Sequence, residues 1–118
     1  MNQEVEFELE TISESNCRQH WTISSKRHKL QKFMTHAHLN SNNVPIAFPV
    51  TITLTRLSPR SLDGDNLQGA LKYIRDSVAD YFIPGLRPGR ADDDKRIKWL
   101  YEQEKSKSKM VRISFDYN

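Results

Sequence analysis

The chain has 118 residues, enough for a single domain, and we expect that domain to span residues 1–118. Its 36% hydrophobic and 28% charged residues indicate a globular protein and exclude a disordered chain. One cysteine excludes an intrachain disulfide, and no signal peptide or membrane-spanning run is present, so we expect a cytoplasmic protein with no membrane partner.

The charges are unevenly distributed along the chain, although the formal net charge is only +3. The acidic residues in the first 14 positions are all glutamates, and no lysine or arginine occurs there. All 18 basic residues therefore lie in the remainder of the chain. A basic body favours a polyanionic partner, while ordinary surface solubility would explain the same balance.

The first two predicted elements are a strand and a helix. The segment "EVEFELE" alternates apolar residues with glutamates, which predicts a half-buried strand with its glutamates in solvent. After a loop, "SKRHKLQKFMTHAHL" predicts an amphipathic helix capped by Ser24 or Ser25. The residues predicted to face the core recur at helical spacing: Leu30, Phe33, Met34 and Ala37.

The remaining segments predict one more helix and three more strands. "IAFPVTITLTRL" predicts a strand with Pro49 near its start. A second helix is predicted from the apolar residues Leu67, Ala70, Leu71, Ile74, Val78 and Phe82. "RIKWLYEQE" and "KMVRISFDY" predict a terminal hairpin with its turn at residues 106–108. The order β-α-β-α-β-β predicts an α/β fold in which two helices pack on a small mixed sheet.

Two aspartates precede the second helix in "SLDGDNLQGAL". One aspartate suffices as a helix cap, so Asp63 and Asp65 together with Asn66 exceed what capping requires. A calcium-binding EF-hand loop is excluded because Leu67 and Ile74 occupy positions that need oxygen ligands. A magnesium site shared with a substrate phosphate remains as the alternative to simple capping.

Such a site needs another carboxylate from elsewhere in the chain, and "ADDDKRI" supplies Asp92, Asp93 and Asp94. These residues precede a predicted strand in a basic neighbourhood. A charged run of this kind is also typical of a solvated loop. The presence of two acidic clusters in a basic domain favours the magnesium site.

The pair "LDGDNLQGAL" and "ADDDKRI" resembles the RusA family of Holliday junction resolvases, which are small endodeoxyribonucleases of phages and prophages. That family has an Asp-x-Asp-Asn-Leu motif that opens a helix and a later Asp-Asp-x-x-Ile/Val motif. It also has an asparagine after the first strand, which Asn16 matches. The resemblance implies a homodimer that cuts four-way DNA junctions by Mg²⁺-dependent hydrolysis during recombination and repair.

The resemblance also implies roles for individual residues. Asp63, Asp65, Asp93 and Asp94 match the family's Mg²⁺ ligands, and three of them, Asp63, Asp65 and Asp94, are expected to be catalytic. Gly69 occupies the position of the family's catalytic lysine. Lys72 lies two helical turns beyond Asp65 and is the expected replacement, the alternative being a solvated lysine.

The DNA backbone is expected to contact the basic residues around these motifs. They are Lys26, Arg27, Lys29, Lys32, Arg87, Arg90, Lys105, Lys107 and Lys109. Two alternatives to a nuclease remain open. One is a non-catalytic DNA-binding module that retains the resolvase fold, which Gly69 favours. The other is a structural or inhibitory phage protein with no role on DNA.

Overall fold

The computed structural model describes residues 2–13, 21–85 and 94–117. These residues form four strands and three helices. In chain order they are β1 (Asn2–Glu8), α1 (Trp21–Ser41), β2 (Val50–Ser58), α2 (Gly64–Ala70), α3 (Lys72–Phe82), β3 (Ile97–Lys105) and β4 (Met110–Tyr117).

The four strands form one mixed sheet in the order β1-β4-β2-β3. β4 is antiparallel to both of its neighbours, whereas β2 and β3 run parallel. Two parallel strands need a crossover connection, and α2 and α3 lie within the one between β2 and β3. The expected α/β class with a mixed sheet is therefore confirmed.

The predicted terminal hairpin is wrong. β3 and β4 follow one another in the chain, but β2 lies between them in the sheet and pairs with both. The alternate residues Val50, Ile52 and Leu54 of β2 are at most 1% exposed. A strand this apolar is stabilised most in the centre of the sheet, so it separates the two strands that the sequence suggested would pair.

The prediction of two helices is also wrong, because the second one is divided at Leu71. This residue has φ −102° and ψ 2°, outside the helical range, and it ends α2 and precedes α3. Its amide donates to the carbonyl oxygens of both Leu67 and Gln68 at 3.2 Å. The helical spacing of the apolar residues is the same before and after Leu71, so the sequence pattern does not reveal the division between α2 and α3.

The core-facing side of α1 is turned away from the predicted one, although Met34 of the predicted set is partly buried against the core. Leu30 is 54% and Phe33 69% exposed, whereas the buried residues of the helix are Gln31, Thr35 and Leu39. Each of these two polar side chains donates one hydrogen bond to the backbone, but Gln31 Oε1 is buried with no hydrogen-bond partner among the described residues. Gln31 Nε2 donates to the carbonyl of Glu10 at 3.1 Å, and Thr35 Oγ1 donates to the carbonyl of Gln31 at 2.7 Å.

The helices cover one face of the sheet and leave the other open. The buried side chains of all four strands, such as Val5, Ile52, Ile97 and Phe115, pack in one core with residues of α2 and α3. The open face of the sheet is predominantly acidic. Its ionisable residues are Glu4, Glu6, Glu8, Glu102, Glu104 and Asp116 against Lys98 and Arg112.

The segment just before α2 is hydrogen-bonded to the sheet through the side chain of Gln103 in β3. The Gln103 side chain accepts a hydrogen bond from the amide of Leu62 at 2.9 Å and donates one to its carbonyl at 2.6 Å. The same segment is also hydrogen-bonded to β2. The guanidinium of the buried Arg56 donates to Thr11 Oγ1, the Thr11 carbonyl and the Arg60 carbonyl. These bonds fix the chain at residues 60 and 62, just before the N-terminus of α2.

Replacing Gln103 with alanine should lower the free energy of unfolding by about 1–3 kcal/mol, because both backbone groups of Leu62 lose their partner. The exposed glutamine of α2 provides the control, since Gln68→Ala should change the same quantity by less than about 0.5 kcal/mol. Urea denaturation of the three proteins measures the difference. Equal effects of the two substitutions would contradict the structural role of Gln103.

Candidate functional site

Asp63 acts as the cap of α2, the simpler of the two roles considered for it. Its backbone is extended (φ −74°, ψ 170°), and its Oδ1 accepts a hydrogen bond from the amide of Asn66 at 3.3 Å. Asn66 is held in turn by Ser13, whose hydroxyl donates to Asn66 Oδ1 at 2.7 Å. Asp65 lies in the first turn, and both carboxylates are exposed to solvent.

The aspartates lie at the end of the sheet where β2 and β3 finish, which we call the α2 end. Cations from two distant parts of the chain gather at the same end. Lys26 and Arg27 of α1 line a surface cavity with Leu9 and Glu10, just after β1. Lys109, which precedes β4, bridges to the same Glu10, with Nζ 2.8 Å from Oε2.

The β3–β4 connection adds further positive charge to this end. Lys105 is the last residue of β3 and pairs in register with Ser58 at the end of β2. Lys107 follows in the exposed connection to β4. The α2 end therefore combines two exposed carboxylates with cations that the sequence analysis had assigned to a DNA backbone.

Asp94 lies at the opposite end of the sheet, three residues before β3 begins. Its two carboxylate oxygens accept hydrogen bonds from the side chain of Arg96, each at 3.0 Å. The Arg96 amide donates to Asp94 Oδ1 as well, at 2.9 Å. These bonds lower the pKa of Asp94 from its ordinary value of 3.8 to about 2.

The expected meeting of the three catalytic aspartates is therefore wrong for a single chain. Because β2 and β3 are parallel, their starts lie together, and Val50 pairs in register with Ile97. Leu62, beside Asp63, contacts Gln103, six residues further along β3 than Ile97. At the rise of a β-strand those six residues place Asp94 about 20 Å from Asp63.

A magnesium ion needs its ligands within a few ångströms of one another. Within residues 2–13, 21–85 and 94–117, no three histidine, cysteine, aspartate or glutamate side chains are grouped closely enough to hold a metal ion. The described part of the chain thus does not bring Asp94 together with Asp63 and Asp65. Asp93, the fourth expected ligand, lies outside the described residues.

Lys72 is placed differently from the expectation. The division at Leu71 removes the continuous helix that was to carry Lys72 over Gly69 toward Asp65. Its ammonium lies instead 5.5 Å from the ring centre of Tyr73, which also stacks on His28 of α1 at 3.7 Å. A Cβ added at Gly69 would meet nothing within 4 Å, so the space there is open.

Several predicted site residues lie outside the described part of the chain. They are Asn16, Arg87, Arg90 and Asp93. Of the other predicted DNA contacts, Lys29 is exposed on α1, and Lys32 of the same helix lies 5.6 Å from the ring centre of Tyr73.

Three residues that position the site were not predicted from the sequence. Ser13, Gln103 and Arg56 act through contacts between segments far apart in the chain. None of them belongs to a motif, so no signal in the sequence singles them out.

In the described residues, no helix has the length and apolar character needed to cross a membrane. A scan against protein-family models and a search of curated proteins gave no match to the chain. The resemblance to RusA resolvases therefore remains a resemblance of the two acidic motifs.

Replacing Arg96 with alanine should raise the pKa of Asp94 from about 2 toward 3.8, since the hydrogen bonds that favour the carboxylate are lost. In the parent, the stabilisation from this depressed pKa is present above the unfolded pKa and disappears as the pH falls toward 2. NMR titration of the Asp94 carboxyl carbon measures the shift. Asp116 serves as the control, and an unchanged Asp94 midpoint in Arg96→Ala would contradict the contact.

Proposed function

We propose that this protein is a Mg²⁺-dependent endodeoxyribonuclease of the RusA type, which cuts four-way DNA junctions in recombination or repair as a homodimer. Asp63 and Asp65 would form part of the active site, and the cations of the α2 end would bind the DNA backbone. Among the described residues Asp94 lies at the opposite end of the sheet, so a Mg²⁺ ion held by Asp63 and Asp65 would need a further ligand.

One observation carries this proposal: the α2 end joins two exposed carboxylates to cations from α1 and from the β3–β4 connection. A cation cluster alone would suit any polyanion. Carboxylates at the same end of the sheet as these cations oppose phosphate binding, and a hydrolytic site would give a reason for their presence. The acidic open face of the sheet would further direct the DNA toward the helical side and the α2 end.

The exposure of Asp63 and Asp65, outside the two cavities that do lie at the α2 end, supports a polymeric substrate. Small-molecule sites are concave and enclose most of their ligand. Asp63 and Asp65 line none of the three cavities of about 240–290 Å³ described in the structure. An exposed pair of carboxylates on an open surface suits a nucleic-acid backbone better.

A non-catalytic DNA-binding module with the same fold is the second candidate. Two observations favour it: the separation of Asp94 from Asp63 and the glycine at position 69. In this alternative Asp63 would serve only as the helix cap, and the α2 end would bind branched DNA without cutting it.

Cleavage of a synthetic four-way junction with and without Mg²⁺ separates the two candidates. The parent should cut only with the metal, and Asp65→Asn should abolish cutting while DNA binding is retained or strengthened, because a negative charge beside phosphate is removed. Asp116→Asn, on the open face of the sheet, should cut at the parent rate. Metal-independent binding without any cutting by the parent would favour the non-catalytic module.

Binding at the α2 end should depend on its individual cations. Lys26→Ala should weaken junction binding and reduce the slope of log affinity against log salt by about 0.9, the value for one lost phosphate contact. Glu8→Ala changes the charge on the open face of the sheet and should not weaken binding. Fluorescence anisotropy over a salt series measures both, and an unchanged slope in Lys26→Ala would contradict this assignment.

A further inference from the structure

One of the cavities at the α2 end is lined by cations. It has a volume of about 260 Å³ and lies where β2 ends and the segment before α2 begins. Its charged lining side chains are Arg56, Arg60 and Lys109, and no aspartate or glutamate of the described residues lines it. The two arginines belong to neither acidic motif and were not among the expected DNA contacts.

Arg56 is the unusual member of this group because it is buried, with only 7% of its surface exposed. A buried guanidinium is normally paired with an anion. In the part of the chain that the structure describes, all of its hydrogen bonds go to uncharged oxygens. They are Thr11 Oγ1 at 3.0 Å, the Thr11 carbonyl at 3.1 Å and the Arg60 carbonyl at 2.7 Å. Burial accordingly lowers the pKa of Arg56.

A purely structural role explains these hydrogen bonds of Arg56 but not its charge. Neutral acceptors leave the buried positive charge without a counter-ion. A guanidinium also has five N–H groups, and three of them are used in these bonds. An anion in the cavity would supply the counter-charge and acceptors for the other two N–H groups.

The other groups around the cavity suit an anion with several oxygens. Ser58 lines the cavity and is 5% exposed, so its hydroxyl can donate to a bound oxygen. Thr11 Oγ1 accepts from Arg56, which leaves its own hydrogen for a ligand. Arg60 and Lys109 add charge, although Lys109 also bridges to Glu10. Hydroxyl donors beside a guanidinium fork match the oxygens of a phosphate group.

We propose that this cavity binds a phosphate group, with Arg56 as its buried counter-charge and Ser58, Arg60 and Lys109 as further contacts. Arg60 precedes Asp63 by three residues, so their Cα atoms are at most about 11 Å apart. If the proposed nuclease function holds, on which this step rests, the group is a backbone phosphate near the one that is hydrolysed. Its binding would then determine which phosphodiester lies at Asp63 and Asp65. A free phosphate ion is the other source of the same chemistry.

Titration with inorganic phosphate tests the site without DNA or cleavage. The side-chain Nε–H resonance of Arg56 should shift with phosphate and not with chloride at equal ionic strength. Arg60→Ala keeps the backbone carbonyl that accepts from Arg56, and it should raise the phosphate dissociation constant about tenfold. Ser58→Ala should raise it several-fold. Lys98→Ala removes an exposed cation from the open face of the sheet and should leave the constant unchanged.

Arg56 itself needs a measurement that separates binding from folding. Phosphate binds the folded protein, so the parent Tm should rise with phosphate concentration relative to chloride. Arg56→Met should lose this rise, whatever its Tm in chloride. An arginine with only a structural role would instead lower the Tm equally in phosphate and chloride. If Arg56→Met does not fold, the Arg60→Ala and Ser58→Ala titrations decide.

A junction with single neutral phosphates distinguishes the two sources of phosphate. Four-way junctions are made with one methylphosphonate at successive positions near the crossover, and binding is measured without divalent metal. If the cavity holds a DNA phosphate, one position should weaken binding to the parent about tenfold and weaken binding to Arg60→Ala no further. Inorganic phosphate should also compete with the unmodified junction.

The outcomes separate this site from the nuclease function. The site is wrong if Arg60→Ala and Ser58→Ala bind inorganic phosphate as the parent does, or if Arg56→Met keeps the phosphate-dependent rise in Tm. If phosphate binding depends on these residues but no methylphosphonate position matters, the site holds free phosphate and the DNA source is wrong. If the parent cuts no junction with any metal, the nuclease function fails, and the phosphate titrations still decide the site.

Discussion

The parallel pairing of β2 with β3 is the constraint on which the rest of the structure depends. It requires a crossover, and the crossover carries α2 and α3 back along the sheet from the end of β2 to the start of β3. Any residue just after β2 is therefore separated from any residue just before β3 by the length of the strands. The two acidic motifs occupy these two positions, so their separation follows from the topology and not from a local conformation.

The sequence predicts those parts of the structure that depend on local pattern. The alternation in β1 and β2 predicted which residues are buried, and Val5, Phe7 and Leu54 are in the core. The sequence did not predict which strands pair. The position of β2 between β3 and β4 depends on how much apolar surface the whole sheet buries, which a local pattern does not show. The cap at Asp63 was predictable from its position, whereas the distance to Asp94 required the strand order.

The orientation of α1 was the least predictable feature, because two buried polar residues replace the apolar side that usually identifies the core. The side chains of Gln31 and Thr35 donate hydrogen bonds to backbone carbonyls and are buried, whereas Leu30 and Phe33 are exposed. The helix contains no aspartate or glutamate, and its outward side consequently combines apolar and basic residues. The spacing of its apolar residues alone does not distinguish this helix from one whose apolar side faces the core.

The acidic open face of the sheet has a consequence for the approach of a large anion. Among the described residues, glutamates of β1 and β3 lie on one face and cations lie at the α2 end and on α1, so the charge is unevenly distributed over the molecule. In the field of a polyanion such a molecule rotates during diffusion, so that more encounters begin in the productive orientation. This advantage acts on the association rate, and mobile ions remove it once the Debye length becomes shorter than the separation of the two charged surfaces.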